Sequence, residues 1–288
     1  MIDCLIVPYG ADYSVKTIEP VPDYNMGIVK FDTNDIFGSL DNVNISIFDL
    51  DDYKSMKFNQ IIGPLREHIR QEKPRLILGM DYGLSYSSIS ALDPDNVVHV
   101  DFHHDTYEDP PIEFLAYSNW AKKLLEEGHA SKWLWLHTSD YPNVSDNPFH
   151  ISTYGRVIDF VKFYNNEFNN RKDDDIPSDM IGYALNNLIS GQNWLGCGNF
   201  YLSICTDGVY DFKDFSNDYR QRLSDFSFDS LKRLLMLGPG CVDLMEFKNS
   251  FLKPESTSRF LSYLQEIIDL LDAHPPISKP LLKLQQNI

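Results

Sequence analysis

The sequence predicts an α/β protein of three layers: a mainly parallel sheet, doubly wound, with helices on both faces. Three observations carry that expectation. Short runs rich in Val, Ile and Leu alternate with segments whose apolar residues recur at helical spacing, the pattern of repeated βαβ units. The strand-like runs, such as "RLILGM" and "VVHVDF", are apolar on successive rather than alternate residues, which suits strands covered on both sides. Several of them end abruptly in Asp, His or Glu, and open α/β sheets bind ligands beyond the carboxyl ends of their strands.

The elements follow in order. "DCLIVPYG" is the first strand, and "IIGPLREHIRQEKP" is a helix whose end Pro74 marks. "RLILGM" (75–80) is the next strand, followed by "VVHVDF", in which Val97, Val98, Val100 and Phe102 read as buried. "PIEFLAYSNWAKKLLEEGH" has helical spacing and stops near Gly128. "KWLWLHTS" is a strand, "RVIDFVKFYNNEF" a helix and "RKDDDIPSDM" a solvated polar loop. "NFYLSICTD" is a strand, "FDSLKRLLMLG" a helix with Gly238 as its stop, and "CVDLMEF" a strand. "STSRFLSYLQEIIDLLDAHPP" is a final amphipathic helix with a Ser or Thr cap and a proline stop. With no repeat, low-complexity tract or linker, a single domain over residues 1–288 is expected.

Composition narrows the function. Hydrophobic residues make up 43% of the 288, enough for a folded core. Asp and Glu number 42 against 25 Lys and Arg, a net charge of −17, which disfavours nucleic acid and anionic membranes as partners. Such a surface favours a cationic substrate or a basic peptide. The cysteines, Cys4, Cys197, Cys205 and Cys241, form no C-x-x-C pair, so a zinc ribbon is not expected; they suit the reduced thiols of a cytosolic protein. "MIDCLIVPYG" lacks a basic segment and its apolar run is too short for a signal peptide. No segment reaches the apolar length of a membrane span, and a cytoplasmic location is expected.

The chemistry gathers at four strand ends. "LILGMDYGLS" ends with Asp81 and Tyr82, "VHVDFHHD" with Asp101, His103 and Asp105, "LSICTDG" with Cys205 and Asp207, and "VDLMEF" with Asp243 and Glu246. Side chains two residues apart on an extended segment point the same way, so Asp101 and His103 can face one cation. A further Asp from a neighbouring strand would complete a hydrolytic metal site with room for water. His99 and His129 read as structural.

In this order the motifs resemble those of the arginase and agmatinase ureohydrolases, which share a fold with the metal-dependent deacetylases. "LGMDYGLS" stands at their Gly-Gly-Asp-His-Ser segment, and Asp101, His103 and Asp105 at their Asp-x-His-x-Asp. Ser203, Cys205, Asp207 and Gly208 stand at Ser-x-Asp-x-Asp-Gly, and "VDLMEF" at the last motif, over roughly residues 75–247. "SNWAKKLLEEGHASKWLWL" is similar to a segment of the peptide arginase branch, whose members convert arginine to ornithine within peptides. The resemblance implies an arginase-like fold and one or two Mn²⁺ ions, with Zn²⁺ as the other candidate. The implied metal ligands are Asp101, His103, Asp105, Asp207 and Cys205. Glu246 would receive the substrate guanidinium through paired N–H bonds. Asp105 would act in catalysis with Glu246 and His104, and Tyr82 and Asn119 would touch substrate. Two positions depart from the pattern: Tyr82 replaces a His ligand and Cys205 an Asp, and both changes weaken the first metal position. The proton-shuttle His expected near "AYSNW" is missing, with His104 and His137 as substitutes.

The activity expected is hydrolysis of the guanidinium C–N bond of arginine, in a peptide or a small guanidino compound, giving ornithine and urea. Two alternatives stay open: a mononuclear deacetylase or amidohydrolase using Asp101, His103 and Asp207, and a non-catalytic binding protein of the same fold. Homo-oligomerisation is also left open.

Overall fold

Among the described residues ten strands and five α-helices run in the order β1 (Ile2–Val7), β2 (Tyr9–Ala11), β3 (Ile28–Lys30), β4 (Val43–Ile47), α1 (Ile62–Glu72), β5 (Leu76–Gly79), α2 (Ser85–Leu92), β6 (Asn96–Asp101), α3 (Trp120–Glu127), β7 (Lys132–His137), β8 (Val157–Asp159), β9 (Phe200–Cys205), α4 (Phe228–Leu235), β10 (Cys241–Met245) and α5 (Pro254–Ala273). The computed structural model describes residues 1–11, 28–30, 37, 39–101, 105, 119–130, 132–137, 157–159, 200–212, 226–246 and 254–276. Eight strands form one sheet in the order β4-β1-β5-β10-β9-β6-β7-β8, and β2 pairs with β3 apart from it. Every pairing in the large sheet is parallel. The late strands β9 and β10 thus lie between β6 and β5, at the middle of the sheet.

Strand alternation divides the core into two layers. On β6, Val98 and Val100 join the layer that receives Leu231, Leu234 and Leu235 of α4 and Phe260, Leu264, Ile267 and Leu271 of α5. Val97 faces the opposite layer, with Leu65 and Ile69 of α1, Ile89 of α2, and Trp120 and Leu124 of α3. Each such Leu or Ile, withdrawn fully from water, contributes about 1.5–3 kcal/mol before conformational entropy is counted. This is the predicted three-layer arrangement.

Local chemistry sets the helix ends. α1 closes on Lys73, whose left-handed backbone (φ 49°) precedes Pro74, and α3 closes on Gly128 at φ 87°. α4 opens on Ser227, whose hydroxyl accepts the Ser230 N–H at 3.3 Å.

Three expectations need correction. Residues 157–159, read as helix, form the edge strand β8 paired with β7; Val157 and Ile158 are β-branched and suit a pleated ladder. α5 starts at Pro254, ahead of the expected Ser/Thr cap, as a proline at the first helical position permits. α2 is an element that the sequence pattern does not announce. Its "SYSSISAL" has no amphipathic stripe, and Ser85, Ser87, Ser88 and Ser90 are all buried because the helix is enclosed by the layers around it. Helix α3 is described from Trp120 on, and the segment 106–118, the loop "RKDDDIPSDM" and Cys197 lie outside the described residues.

Candidate metal centre

The sheet order sets β5, β10, β9 and β6 side by side. Their carboxyl ends deliver Asp81, Glu246, Cys205 with Asp207, and Asp101 with Asp105 to one place. Asp101, Asp105 and Asp207 are 1%, 5% and 1% exposed, and Cys205 is 1% exposed. Glu246 alone of this group is only partly buried, so it stands nearest to solvent.

Backbone geometry explains the convergence. After β9 the chain makes a tight turn over Thr206–Gly208. A Cβ on Gly208 would lie 2.6–2.9 Å from the backbone N, Cα and C of Asp101, so glycine lets this turn press against the end of β6 and brings Asp207 to Asp101. Asp105 and Glu246 both adopt left-handed backbones, φ 48° and 63°, which cost non-glycine residues roughly 1–2 kcal/mol. The Thr206 hydroxyl donates to the Glu246 carbonyl at 2.9 Å and holds that turn. Trp120 Nε1 donates to Asp105 Oδ2 at 2.6 Å. The Asp81 carboxylate accepts the Gly83 N–H at 2.9 Å.

Two donor trios share Asp101. His99, Asp101 and Asp105 form one, and Asp101, Cys205 and Asp207 the other; within each trio one ligating atom per residue lies within 4.8 Å of the others. A buried set rich in carboxylate, with one nitrogen and one sulfur, fits a divalent cation. The electrostatics agree. Burial, and then the charges of Asp207, Asp101, Asp105 and Asp81, push the Glu246 carboxyl well above its ordinary range. Burial, and then Asp101, Asp207 and Glu246, push the Cys205 thiol up. Acids gathered so closely repel one another, and a bound cation inverts that local logic.

Of the residues singled out from sequence, the structure brings Asp101, Asp105, Cys205, Asp207 and Glu246 together. His103 and His104 lie outside the described residues, as do the side chains of Tyr82 and His137. Asn119 is fully buried at the start of α3, and its carbonyl accepts the Lys123 N–H at 3.0 Å. Two contributors escaped the sequence reading. His99, read as structural, is indeed fully buried, but its Nε2 lies 3.3 Å from Asp101 Oδ2. It sits two residues before Asp101 on β6, so strand parity could have signalled it. Trp120 meets His99 edge-on at 5.0 Å, a contact that no spacing in the sequence announces.

Beneath the site Asp243 is fully buried, accepting the Tyr201 hydroxyl at 2.8 Å and the Ile204 N–H at 3.1 Å. Burial pushes its carboxyl up to about 6. A cavity of about 360 Å³ opens at the other end of the sheet, lined by Arg70, Lys73, Pro74, Phe200, Tyr201 and Cys241 among others. It lacks the converging carboxylates found at the carboxyl end of the sheet. Among the described residues no helix is long and apolar enough to cross a membrane.

The fold is that of the arginase and agmatinase ureohydrolases. Agmatine ureohydrolase of Thermoplasma volcanium superposes with a TM-score of 0.59 at 12% identity, over 94% of this chain and 89% of that one. Arginase from Medicago truncatula gives 0.58 at 13% identity, over 93% and 86%. Proclavaminate amidino hydrolase from Streptomyces clavuligerus gives 0.57 at 17% identity, over 94% and 92%. No family model matches the chain, and no curated protein matches it by sequence.

Proposed function

We propose that the protein is a metal-dependent hydrolase that cleaves the guanidinium C–N bond of an arginine-type substrate, giving urea and an ornithine-type amine. The observation that carries this reading is the convergence of Asp101, Asp105, Asp207, Cys205 and Glu246 from adjacent strand ends of an arginase-like sheet. Asp101, Asp105, Asp207 and Cys205 would hold a divalent cation, with His103 assigned from sequence alone. Mn²⁺ suits the carboxylates, and Zn²⁺ suits the sulfur. Bound there, such an ion lowers the pKa of water and supplies a nucleophile near neutral pH.

The chain's own residues do the rest. Glu246, the outermost carboxylate, receives the guanidinium and holds its carbon over the buried acids. Trp120 and His99 fix the Asp105 and Asp101 carboxylates from below. Asp105 orients the attacking water, His104 carries a proton to the leaving amine, and Tyr82 contacts the substrate; Asn119, fully buried, is not kept as a substrate contact. A peptidyl arginine is preferred over a free one because "SNWAKKLLEEGHASKWLWL" is similar to the peptide arginase branch and the surface carries a net charge of −17. The reading takes all 288 residues as one cytoplasmic domain.

The test is urea release, with Mn²⁺ or Zn²⁺ supplied, from arginine peptides, free arginine and agmatine, together with the mass loss from arginine to ornithine. Urea from an arginine compound is expected. Cleavage of acyl-lysine or acyl-polyamine with no urea from any guanidino compound would replace this reading with a deacetylase.

A further inference from the structure

A buried cysteine ordinarily sits among apolar side chains and behaves as a small hydrophobe. Cys205 does not. It ends β9 in extended conformation (φ −83°, ψ 136°), and its Sγ lies within 4.8 Å of ligating oxygens of Asp101 and Asp207. The thiol donates to Glu246 Oε2 at 3.4 Å, so three acids surround one sulfur that is 1% exposed. The other free cysteines described, Cys4 and Cys241, sit elsewhere: Cys4 in the layer under α4 and α5, Cys241 at the opposite end of β10.

We propose that Cys205 is a metal ligand, binding through its thiolate, and that it biases the centre toward thiophilic divalent cations such as Zn²⁺ or Co²⁺ over Mn²⁺. This rests on the hydrolase reading and specifies its metal. A carboxylate at this point would offer two hard oxygens, able to bridge two ions. Cysteine offers one soft donor atom, which suits one tightly held ion beside Asp101 and Asp207. As the sulfur–metal bond forms, the S–H proton leaves to solvent and the Glu246 carboxylate loses a donor, freeing it to face the substrate. No oxidation state changes.

The test uses the native 288-residue chain, stripped of metal and loaded with Co²⁺. A near-ultraviolet sulfur-to-cobalt charge-transfer band is expected, retained in Cys241→Ser and absent in Cys205→Ser. In competition dialysis, Cys205→Asp should move the Zn²⁺-over-Mn²⁺ preference about tenfold or more toward Mn²⁺. Stoichiometric Co²⁺ without the band in the native protein overturns thiolate ligation, while urea release by the loaded enzyme still upholds the hydrolase. A native chain that binds neither Co²⁺, Zn²⁺ nor Mn²⁺ overturns both. Because the native spectrum decides the matter, a variant that fails to fold does not spoil the test.

Discussion

Replacing Gly208 by alanine tests the geometry on which the centre depends. The added Cβ would stand 2.6 Å from Asp101 Cα, 2.7 Å from its N and 2.9 Å from its C. Ordinary carbon contacts are about 3.5–4.0 Å, so the 206–208 turn and the end of β6 must separate by about 1 Å. The obstacle is backbone in the most buried part of the sheet, not the tip of a flexible side chain. Overpacking of this kind costs about 1–3 kcal/mol. At about 2–4 °C per kcal/mol for a domain of this size, Tm should fall by several degrees. Metal binding should suffer more, because Asp207 and Asp101 flank the point of collision and donor sets tolerate errors of only about 0.5 Å. Scanning calorimetry and elemental analysis measure the two effects. Gly63→Ala in α1 is the control: its Cβ meets nothing within 4 Å, and alanine in a helix is favoured over glycine by roughly 0.5–1 kcal/mol, so it should stabilise. If Gly208→Ala melts like the native protein and keeps its metal, the close approach of these strands is not what aligns Asp101 and Asp207.

Three further outcomes are expected. Trp120→Phe keeps the ring but removes the donor to Asp105 Oδ2; metal affinity should drop about tenfold or more with the fold intact, as read by isothermal titration. Glu246→Gln keeps shape and loses charge; kcat/KM for an arginine peptide should fall roughly ten- to a hundredfold while metal content is unchanged, and a loss of metal would put Glu246 among the ligands. Asp243 is raised from 3.8 to about 6, so over that range the folded state binds more protons than the unfolded state and stability declines as pH rises. The decline amounts to roughly 3 kcal/mol at most. Urea unfolding of the native protein and Asp243→Asn at pH about 4 and about 7 should show it in the difference between the two, and parallel curves would remove Asp243 as its source.

Much of this was legible in the sequence because the central strands are apolar on both faces. "RLILGM", "VVHVDF", "NFYLSICTD" and "CVDLMEF" each contain a buried strand, and the acids at their ends gather in the candidate site. What escaped depended on tertiary context. The serines of α2 carry no helical stripe, and only enclosure by neighbouring elements makes them a helix. Edge strand β8 has an apolar run too short to distinguish from helix, and its pairing with β7 decides it. His99 could be placed in the core by its neighbours, but its reach to Asp101 follows only from strand parity and from Trp120 packing against its ring.

Several features that break local rules fall at one place, although Asn42 and Ala130 also adopt positive φ elsewhere. Asp105 and Glu246 accept left-handed backbones, Gly208 removes a side chain where two backbones meet, and Cys205 sets a thiol among acids. The other non-glycine residues with positive φ include Lys73 and Asp93, which end helices α1 and α2, where such a backbone is ordinary. Among the described residues no helix end accounts for Asp105 or Glu246. Folding alone has no use for strain and like charge concentrated at four neighbouring strand ends, since each lowers stability. Their coincidence is explained if a cation offsets the repulsion and the strain aims the carboxylates at it. On that account the apoprotein is the less stable form, and metal stabilises the chain in proportion to how well Asp101 and Asp207 are aligned. Gly208 and Cys205 then have one role between them: the glycine brings the donors together, and the sulfur selects which ion they hold.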